Sequence, residues 1–554
     1  MTETVKIAEY LFTRLRQLGV GSIHGVPGDY NLTLLDYVEP SGIHWVGNCN
    51  ELNAGYAADG YAKVNGIGAL ITTFGVGELS AINAIAGAYT ERAPLVHIVG
   101  TPVRDSQDNR RLIHHTFNDG EYGRFALMAA QVTVPVDLVS VAVSSERLKT
   151  PLKVPHGVHV PSHDDAFAQI FDKIHSAKQP AILVDGEIRA LNIIQEVSKL
   201  VESTKWPTWT TTYAKSLVDE SLPNVHGIYQ GAFSPQKAQD FWNSCDLILC
   251  FGPHYSNTNT YAYTSIPKAA ITISFSDTDI KLGADTVFRD LPAKHALKHL
   301  LKLDYNKIHN YDPYPSIPSP ELVTSSNVDN AAALTQSTLW PLLAKFLQPG
   351  DIIFGETGTA GYGCRVMPIP KHARLFTPVT WLSIGYMLPA AQGAALAQRE
   401  LLAKSKWGAP DQTTARTILL IGDGSFQMTA QELSTIIREN LNVVVFLINN
   451  DGYTIERCIH GLKQGYNDIA FWRYLQVPAA FGAKEGTYAK SAKTPGELEA
   501  ILGDEELVSG KGLRMVEIVL DREDAPAGIL TKMIDTQKEI EAKKGKEGVN
   551  GTAK

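Results

Sequence analysis

Three consecutive α/β domains, each with a parallel sheet flanked by helices, are the fold class this sequence predicts, and three observations carry the prediction. Short apolar runs of strand length alternate with helical patterns along the chain. Two proline-rich stretches, 148–162 and 310–320, break the alternation at domain-sized intervals, because closely spaced prolines cannot sit inside a helix or a central strand. A length of 554 residues with 44% apolar content can bury about three cores.

The elements follow in chain order. Thr2 to Leu18 carries Ala8, Leu11, Phe12, Leu15 and Leu18 with charges between them, the pattern of an amphipathic surface helix and not of a signal peptide. The first block has strand-like runs at Ser22 to Val26, Ala69 to Phe74 and Leu95 to Gly100, with helical patterns at Glu51 to Asn65 and Leu79 to Arg92. Val132 to Asp137 reads as its final strand. Only 31 residues separate Gly100 from Val132, and the corresponding stretch of the third block, Asn450 to Arg514, is about twice as long. The shortfall is about one βα unit, on the order of 30 residues, so the first domain is expected to be shortened near 130 and to expose apolar sheet surface there. A second block contains Ala181 to Asp185, Leu247 to Phe251 and Ala270 to Phe275. The third contains Asp351 to Gly355, Thr417 to Ile421, Asn442 to Ile448 and Arg514 to Leu520. Domains are therefore expected at 1–147, 163–308 and 330–536, followed by a polar tail at 537–554.

Composition narrows the function. A net charge of -8 with mixed signs throughout offers no basic stripe to nucleic acid or an anionic membrane. No apolar run reaches membrane-spanning length. The five cysteines form no metal-ligand spacing, and their sparse, odd number points to reduced thiols. Thr552-Ala553-Lys554 is no retention or peroxisomal address. A cytoplasmic protein acting on a small molecule is expected.

The most informative motifs close two adjacent apolar strands of the third block: Gly422-Asp423-Gly424-Ser425 and Asn449-Asn450-Asp451-Gly452. A carboxylate, an amide oxygen and a backbone carbonyl at neighbouring strand ends are three oxygen ligands for a hard divalent cation. Gly424 allows close backbone approach, and the helix opening near Ser425 aims its amides at an anion, so the pair suits a metal-bound diphosphate.

With its spacing, this pair resembles the metal-diphosphate motif of thiamine-diphosphate enzymes. Further segments resemble the 2-oxo-acid decarboxylases of that superfamily, closest to the fungal pyruvate decarboxylases: Gly25-Val26-Pro27-Gly28-Asp29, Asn50-Glu51-Leu52-Asn53, Thr73-Phe74-Gly75-Val76-Gly77-Glu78, His114-His115-Thr116, Glu356-Thr357-Gly358-Thr359 and Asn450 through Glu456. The resemblance implies thiamine diphosphate and Mg2+ as cofactors, the cation on Asp423, Asn450 and Gly452. It implies a pyrimidine-binding, a middle and a diphosphate-binding domain, in that order. Glu51 matches the glutamate that protonates the cofactor's aminopyrimidine ring. Asp29, His114, His115 and Glu456 match the groups that move protons around loss of carbon dioxide. Thr357, Thr359, Leu382, Ser383, Ile384, Gly422, Gly424, Ser425, Tyr453, Thr454 and Ile455 match cofactor-binding positions, Ile384 as the aliphatic wedge that bends the cofactor.

Three departures accompany the shortened domain. Leu382 stands where decarboxylase relatives often have glycine. Ser256-Asn257-Thr258-Asn259-Thr260 lacks the aromatic of a Ser-Asp-Phe-Asn-Thr run. Asp185-Gly186-Glu187-Ile188 lacks a cysteine that yeast-type enzymes link to substrate activation. The expected reaction is pyruvate to acetaldehyde and carbon dioxide, by a homodimer or homotetramer. Decarboxylation of branched-chain or aromatic 2-oxo acids and a catalytically silent cofactor-binding homologue are the alternatives, and a carboligase fits the His-His pair less well.

Overall fold

The computed structural model describes residues 4–128, 132–152, 163–318, 329–409 and 412–551. Three sheets dominate it. The first has five strands, ordered His44–Gly47, Ser22–Gly25, Gly68–Thr73, Leu95–Thr101 and Val132–Pro135, all parallel. The second has seven: Val225–Ile228, Thr208–Thr210, Pro180–Val184, Leu247–Phe251 and Thr272–Phe275 are parallel, and Ile280–Leu282 and Thr286–Phe288 add an antiparallel ribbon at one edge. The third has six parallel strands, ordered Arg374–Phe376, Ile352–Gly355, Thr417–Gly422, Val443–Asn449, Leu513–Val519 and Ala489–Ala492. Ile352–Gly355, Thr417–Gly422 and Val443–Asn449 are buried on both faces, which is why they read as largely apolar runs and not as alternating ones, whereas Leu513–Val519 is interrupted by Arg514 and Glu517.

Two elements differ from the sequence expectation. The N-terminal helix begins at Ile7, not Thr2, because Thr4–Lys6 forms a strand antiparallel to Ala142–Ser144. That partner lies far along the chain, beyond the reach of local periodicity. The tail expected from 537 is instead the continuation of a helix, Ile529–Gly551. Leu530, Met533 and Ile534 share one face, packed on Cys458, Leu462 and Ala525, and the polar residues between them mask the stripe. The linkers at 148–162 and 310–320 lie partly outside the described residues, as does Thr552 to Lys554.

In the short crossover before Val132–Pro135 the helices Arg104–Asp108 and Arg124–Met128 span five residues each. Phe125 is buried against Phe74 and Val99, while Leu127 and Met128 are 89% and 61% exposed. Among the described residues no helix is long and apolar enough to cross a membrane.

The first and third sheets meet through the helices Glu51–Asn65 and Met387–Ala403, which cross at alanine and glycine positions. A Cβ on Gly60 would overlap the Ala390 carbonyl, and one on Gly393 the Ala57 carbonyl. The close crossing buries an ion cluster, Lys63 with Asp59 and Glu91, and Lys63 also donates to Tyr386 Oη at 2.5 Å.

His97, in Leu95–Thr101, is 3% exposed with Nε2 2.8 Å from Thr72 Oγ1, and burial pushes its pKa down to about 4. The unfolded chain therefore binds a proton below about 6.5 that the folded chain refuses, so stability present above that pH drains away as pH falls toward 4. His97→Gln keeps a hydrogen-bonding side chain and removes this titration. Urea melts at pH 7.5 and 5.0 are expected to show the parent losing about 2 kcal/mol more than the variant. Equal losses would refute the assignment.

Candidate active site

Three adjacent strands of the third sheet end at one cavity of about 260 Å³. Thr357, Gly358 and Thr359 follow Ile352–Gly355, Gly422 to Ser425 close Thr417–Gly422, and Asn450 and Gly452 to Glu456 follow Val443–Asn449. Ile384 completes the lining. Carboxyl ends of parallel strands are where such sheets place ligands, since the following helices aim their amides there. Gly424 has to be glycine: a Cβ would sit 2.5 Å from the Tyr453 ring.

The oxygen set is built as a cation would require. Asp423 is 1% exposed, accepts from the amides of Gly424 (2.8 Å) and Gly452 (3.1 Å), and burial pushes its pKa up to about 6. The amide of Asn450 has two orientations. In one, Nδ2 donates to Thr454 Oγ1 (2.8 Å) and Oδ1 faces Asp423 Oδ1 (3.2 Å) and the Gly452 carbonyl (3.1 Å). In the other, Nδ2 points at those two oxygens and Thr454 would have to donate to Asn450. Without a cation the second orientation makes more hydrogen bonds; a cation between Asp423 and the Gly452 carbonyl would favour the first, in which Thr454 donates to the Arg522 carbonyl at 3.0 Å. In that orientation Asn450 Oδ1 faces the Asp423 and Gly452 oxygens with no proton between them. Spacings of 3.1–3.2 Å are close to the ~3.0 Å edge of an octahedron with ligands at about 2.1 Å, the geometry Mg2+ demands. Among the described residues Thr357 Oγ1 is buried with no hydrogen bond of good geometry, although the Glu356 carboxylate is close by, so it is a donor that an anionic oxygen could take. These residues fit a metal-bound diphosphate.

Glu456 is exposed at the cavity and makes no ion pair among the described residues; its neighbour Arg457 points inward to Asp468 and the Leu462 and Asn467 carbonyls.

The carboxyl ends of the first sheet carry a second group. Asp29 Oδ2 lies 2.5 Å from His114 Nε2, Tyr30 stacks on the His114 ring at 4.9 Å, and His115 meets both rings edge-on. His115 takes a left-handed backbone, φ 69°, with Nδ1 buried and unpartnered. Glu51 opens its helix behind Asn50, whose side chain caps Asn53 N. Its carboxylate would stand 3.1 Å from a Cβ at Gly77, so that glycine leaves it room. None of Asp29, Glu51, His114 and His115 lines the 260 Å³ cavity. Nor do Leu382 and Ser383, which sit on a segment anchored to the first domain, with Ser383 Oγ 2.7 Å from Tyr56 Oη and Trp381 Nε1 donating to Asn83 Oδ1 at 2.8 Å. Thr258 does not reach the cavity either.

Sequence reasoning overlooked two residues here. Gly358 lines the cavity with φ 113°, a conformation only glycine adopts freely. Glu356 is completely buried and accepts from Thr357 N (2.7 Å) and Met387 N (2.8 Å), tying the cavity's edge to the inter-sheet helix; burial pushes its pKa up to about 7. Both belong to the Glu-Thr-Gly-Thr motif, which was visible in the sequence.

Leu382 has φ 55°, in the left-handed region where glycine carries no strain. Leu382→Gly is expected to leave stability within about 1 kcal/mol, the released strain offsetting added chain entropy, while Leu382→Ile costs about 1–2 kcal/mol because a β-branched side chain tolerates this region least. Denaturant melts of both variants check it, and an unaffected isoleucine variant would contradict it.

Comparison with known proteins matches 5–121 to the N-terminal TPP binding domain of thiamine pyrophosphate enzymes, 167–301 to their central domain and 356–518 to their C-terminal TPP binding domain. A pyruvate decarboxylase of Aspergillus parasiticus is 50% identical over 97% of this chain and 98% of its own. One of Aspergillus fumigatus is 40% identical over 96% of each, and pyruvate decarboxylase isozyme 3 of Saccharomyces cerevisiae 36% over 95% and 97%. The first alignment spans 577 positions against 554 residues here, so that relative has positions with no counterpart in this chain.

Proposed function

The chain belongs to the thiamine pyrophosphate enzymes, and from that premise we propose that it decarboxylates pyruvate without oxidation, giving acetaldehyde and carbon dioxide, with thiamine diphosphate and Mg2+. The observation that carries this reading is the cluster of the Asp423 carboxylate, the Asn450 amide and the Gly452 carbonyl, set in a cavity that also presents an exposed carboxylate, Glu456. Bound thiamine diphosphate supplies the nucleophilic carbon and the electron sink. The protein's part is positioning and proton transfer. Asp423, Asn450 and Gly452 would hold the cation, Thr357 would donate to a phosphate oxygen, and Ile384 would brace the cofactor's bend. Glu51 would protonate the aminopyrimidine, and Glu456 with the Asp29–His114 pair and His115 would hold and deliver protons near the substrate carbon.

A coupled alcohol-dehydrogenase assay over a panel of 2-oxo acids tests the proposal. Aldehyde from pyruvate is expected. Aldehyde only from branched or aromatic acids would reassign the substrate, and cofactor binding without aldehyde would make the chain a silent homologue. The five free thiols fit a reducing compartment, which we take to be the cytoplasm.

The first-sheet group stands outside its own chain's cavity, so a homodimer in which Glu51 of one copy meets Asp423 and Glu456 of the other completes the site. Mixing two inactive proteins, Glu51→Gln and Asp423→Ala, and allowing subunits to exchange is expected to restore activity, because each hybrid then holds one intact site. Recovery of none would place both residues in one chain's site.

A further inference from the structure

Between the second and third domains lies a cavity of about 360 Å³, remote from the site above and sharing no residue with it. One wall is the helix Ile194–Thr204 (Ile194, Ser198) with the turn Ser216 to Glu220, and the other is Ile369 to Arg374 with Lys406 to Gly408. Arg374 opens the edge strand of the third sheet and lines this space, its guanidinium over the Trp407 ring at 4.9 Å from the centroid. The guanidinium makes no hydrogen bond or ion pair among the described residues, and its surroundings with the nearby Arg189 depress its pKa to about 10. Half-buried and without an acid, it leaves a positive fork facing the cavity that an oxyanion can meet.

The acids of the cavity are committed elsewhere or peripheral. Glu220 pairs with Lys215 at 3.0 Å and accepts from Ser216 N and Ile369 N; Asp219 lies 3.6 Å from Lys371 and accepts from Ser221; Glu202 stands exposed at the rim. Lys406, exposed at the mouth, has no acidic partner among the described residues. The backbone adds an independent sign. Two non-glycine lining residues, Ser216 (φ 69°) and His372 (φ 64°), are held in the left-handed region, strain that concentrates at ligand clamps. Ser216 Oγ also accepts from Leu375 N at 2.7 Å, which fixes one wall to the other.

We propose that this cavity binds the oxyanion group of a small metabolite, phosphate or carboxylate, with Arg374 as the fork that receives it and Lys406 at the entrance. Both domains supply the walls, so the anion stabilises their docked arrangement by mass action.

Calorimetry on the dimer saturated with thiamine diphosphate and Mg2+, which keeps the probe out of the cofactor cavity, tests it with inorganic phosphate in one arm and oxamate in the other. Saturable heat that Arg374→Met weakens is expected in at least one arm, and which one distinguishes the two sources; oxamate heat that both variants keep belongs to the substrate site. Arg374→Met, which keeps an apolar stem on Trp407, is expected to weaken binding about tenfold or more, and Lys406→Gln about threefold. The Lys406 variant alters only an exposed side chain, so it decides the matter where the Arg374 variant fails to fold. No saturable heat in either arm, or unchanged heat in both variants, overturns the proposal. The assay reads binding and not turnover, so it stands apart from the identity of the substrate.

Discussion

Asp423→Ala is expected to abolish cofactor retention while leaving the apo protein folded. The carboxylate is the charged member of the oxygen triangle with Asn450 and Gly452, and without it a diphosphate brought into the cavity is neutralised only by dipoles. Outer partners of metal ligands already cost about 10–100-fold in metal affinity when mutated, so loss of a direct charged ligand is expected to exceed about 100-fold. The parent apo protein also bears the cost of desolvating this carboxyl, seen in a pKa pushed up to about 6. The variant is relieved of that cost, so its apo melting temperature should equal or exceed the parent's, while the rise on adding thiamine diphosphate and Mg2+ disappears. Calorimetry showing parent-like cofactor affinity in the variant would remove Asp423 from the metal set.

Glu51→Gln is expected to do the opposite: to keep the cofactor and lose turnover. The side chain sits in the first turn of its helix against Gly77, and an amide of the same shape fits that space without a clash. An amide cannot deliver a proton to a ring nitrogen. Loss of one positioned acid costs about 10²–10⁴-fold in kcat, and the same factor is expected here with cofactor affinity close to the parent's. The direct measurement is hydrogen-deuterium exchange at C2 of the bound cofactor. Exchange as fast as in the parent would show that Glu51 is not the activating acid.

Together the two variants separate retention of the cofactor from its activation, a distinction the sequence made legible. Gly422 to Ser425 and Asn449 to Gly452 end two apolar strands, and the ligands of a strand-end site are written beside the strands that carry them. The strands were legible too: Leu247–Phe251 and the apolar stretch of Val443–Asn449 are buried on both faces, and continuous apolar runs of that length have few alternatives. The helix Glu51–Asn65 was legible to its ends because Asn50 caps it and Gly66 stops it in a left-handed turn.

Strands, capped helices and the residue types gathered at each strand end can thus be read directly from the chain. How they meet is set by folding. Thr454, which faces the Asn450 amide, also reaches the carbonyl of Arg522, 68 residues away. Thr4–Lys6 becomes a strand only because Ala142–Ser144 is there to pair with it. Arg374 looks like any strand-edge arginine until two domains close a cavity around it and leave it without an acid. Periodicity, capping and turn chemistry act over a few residues and are written locally. Burial, proton placement and the pairing of charges are set by contacts between distant segments, and those exist only once the chain has folded.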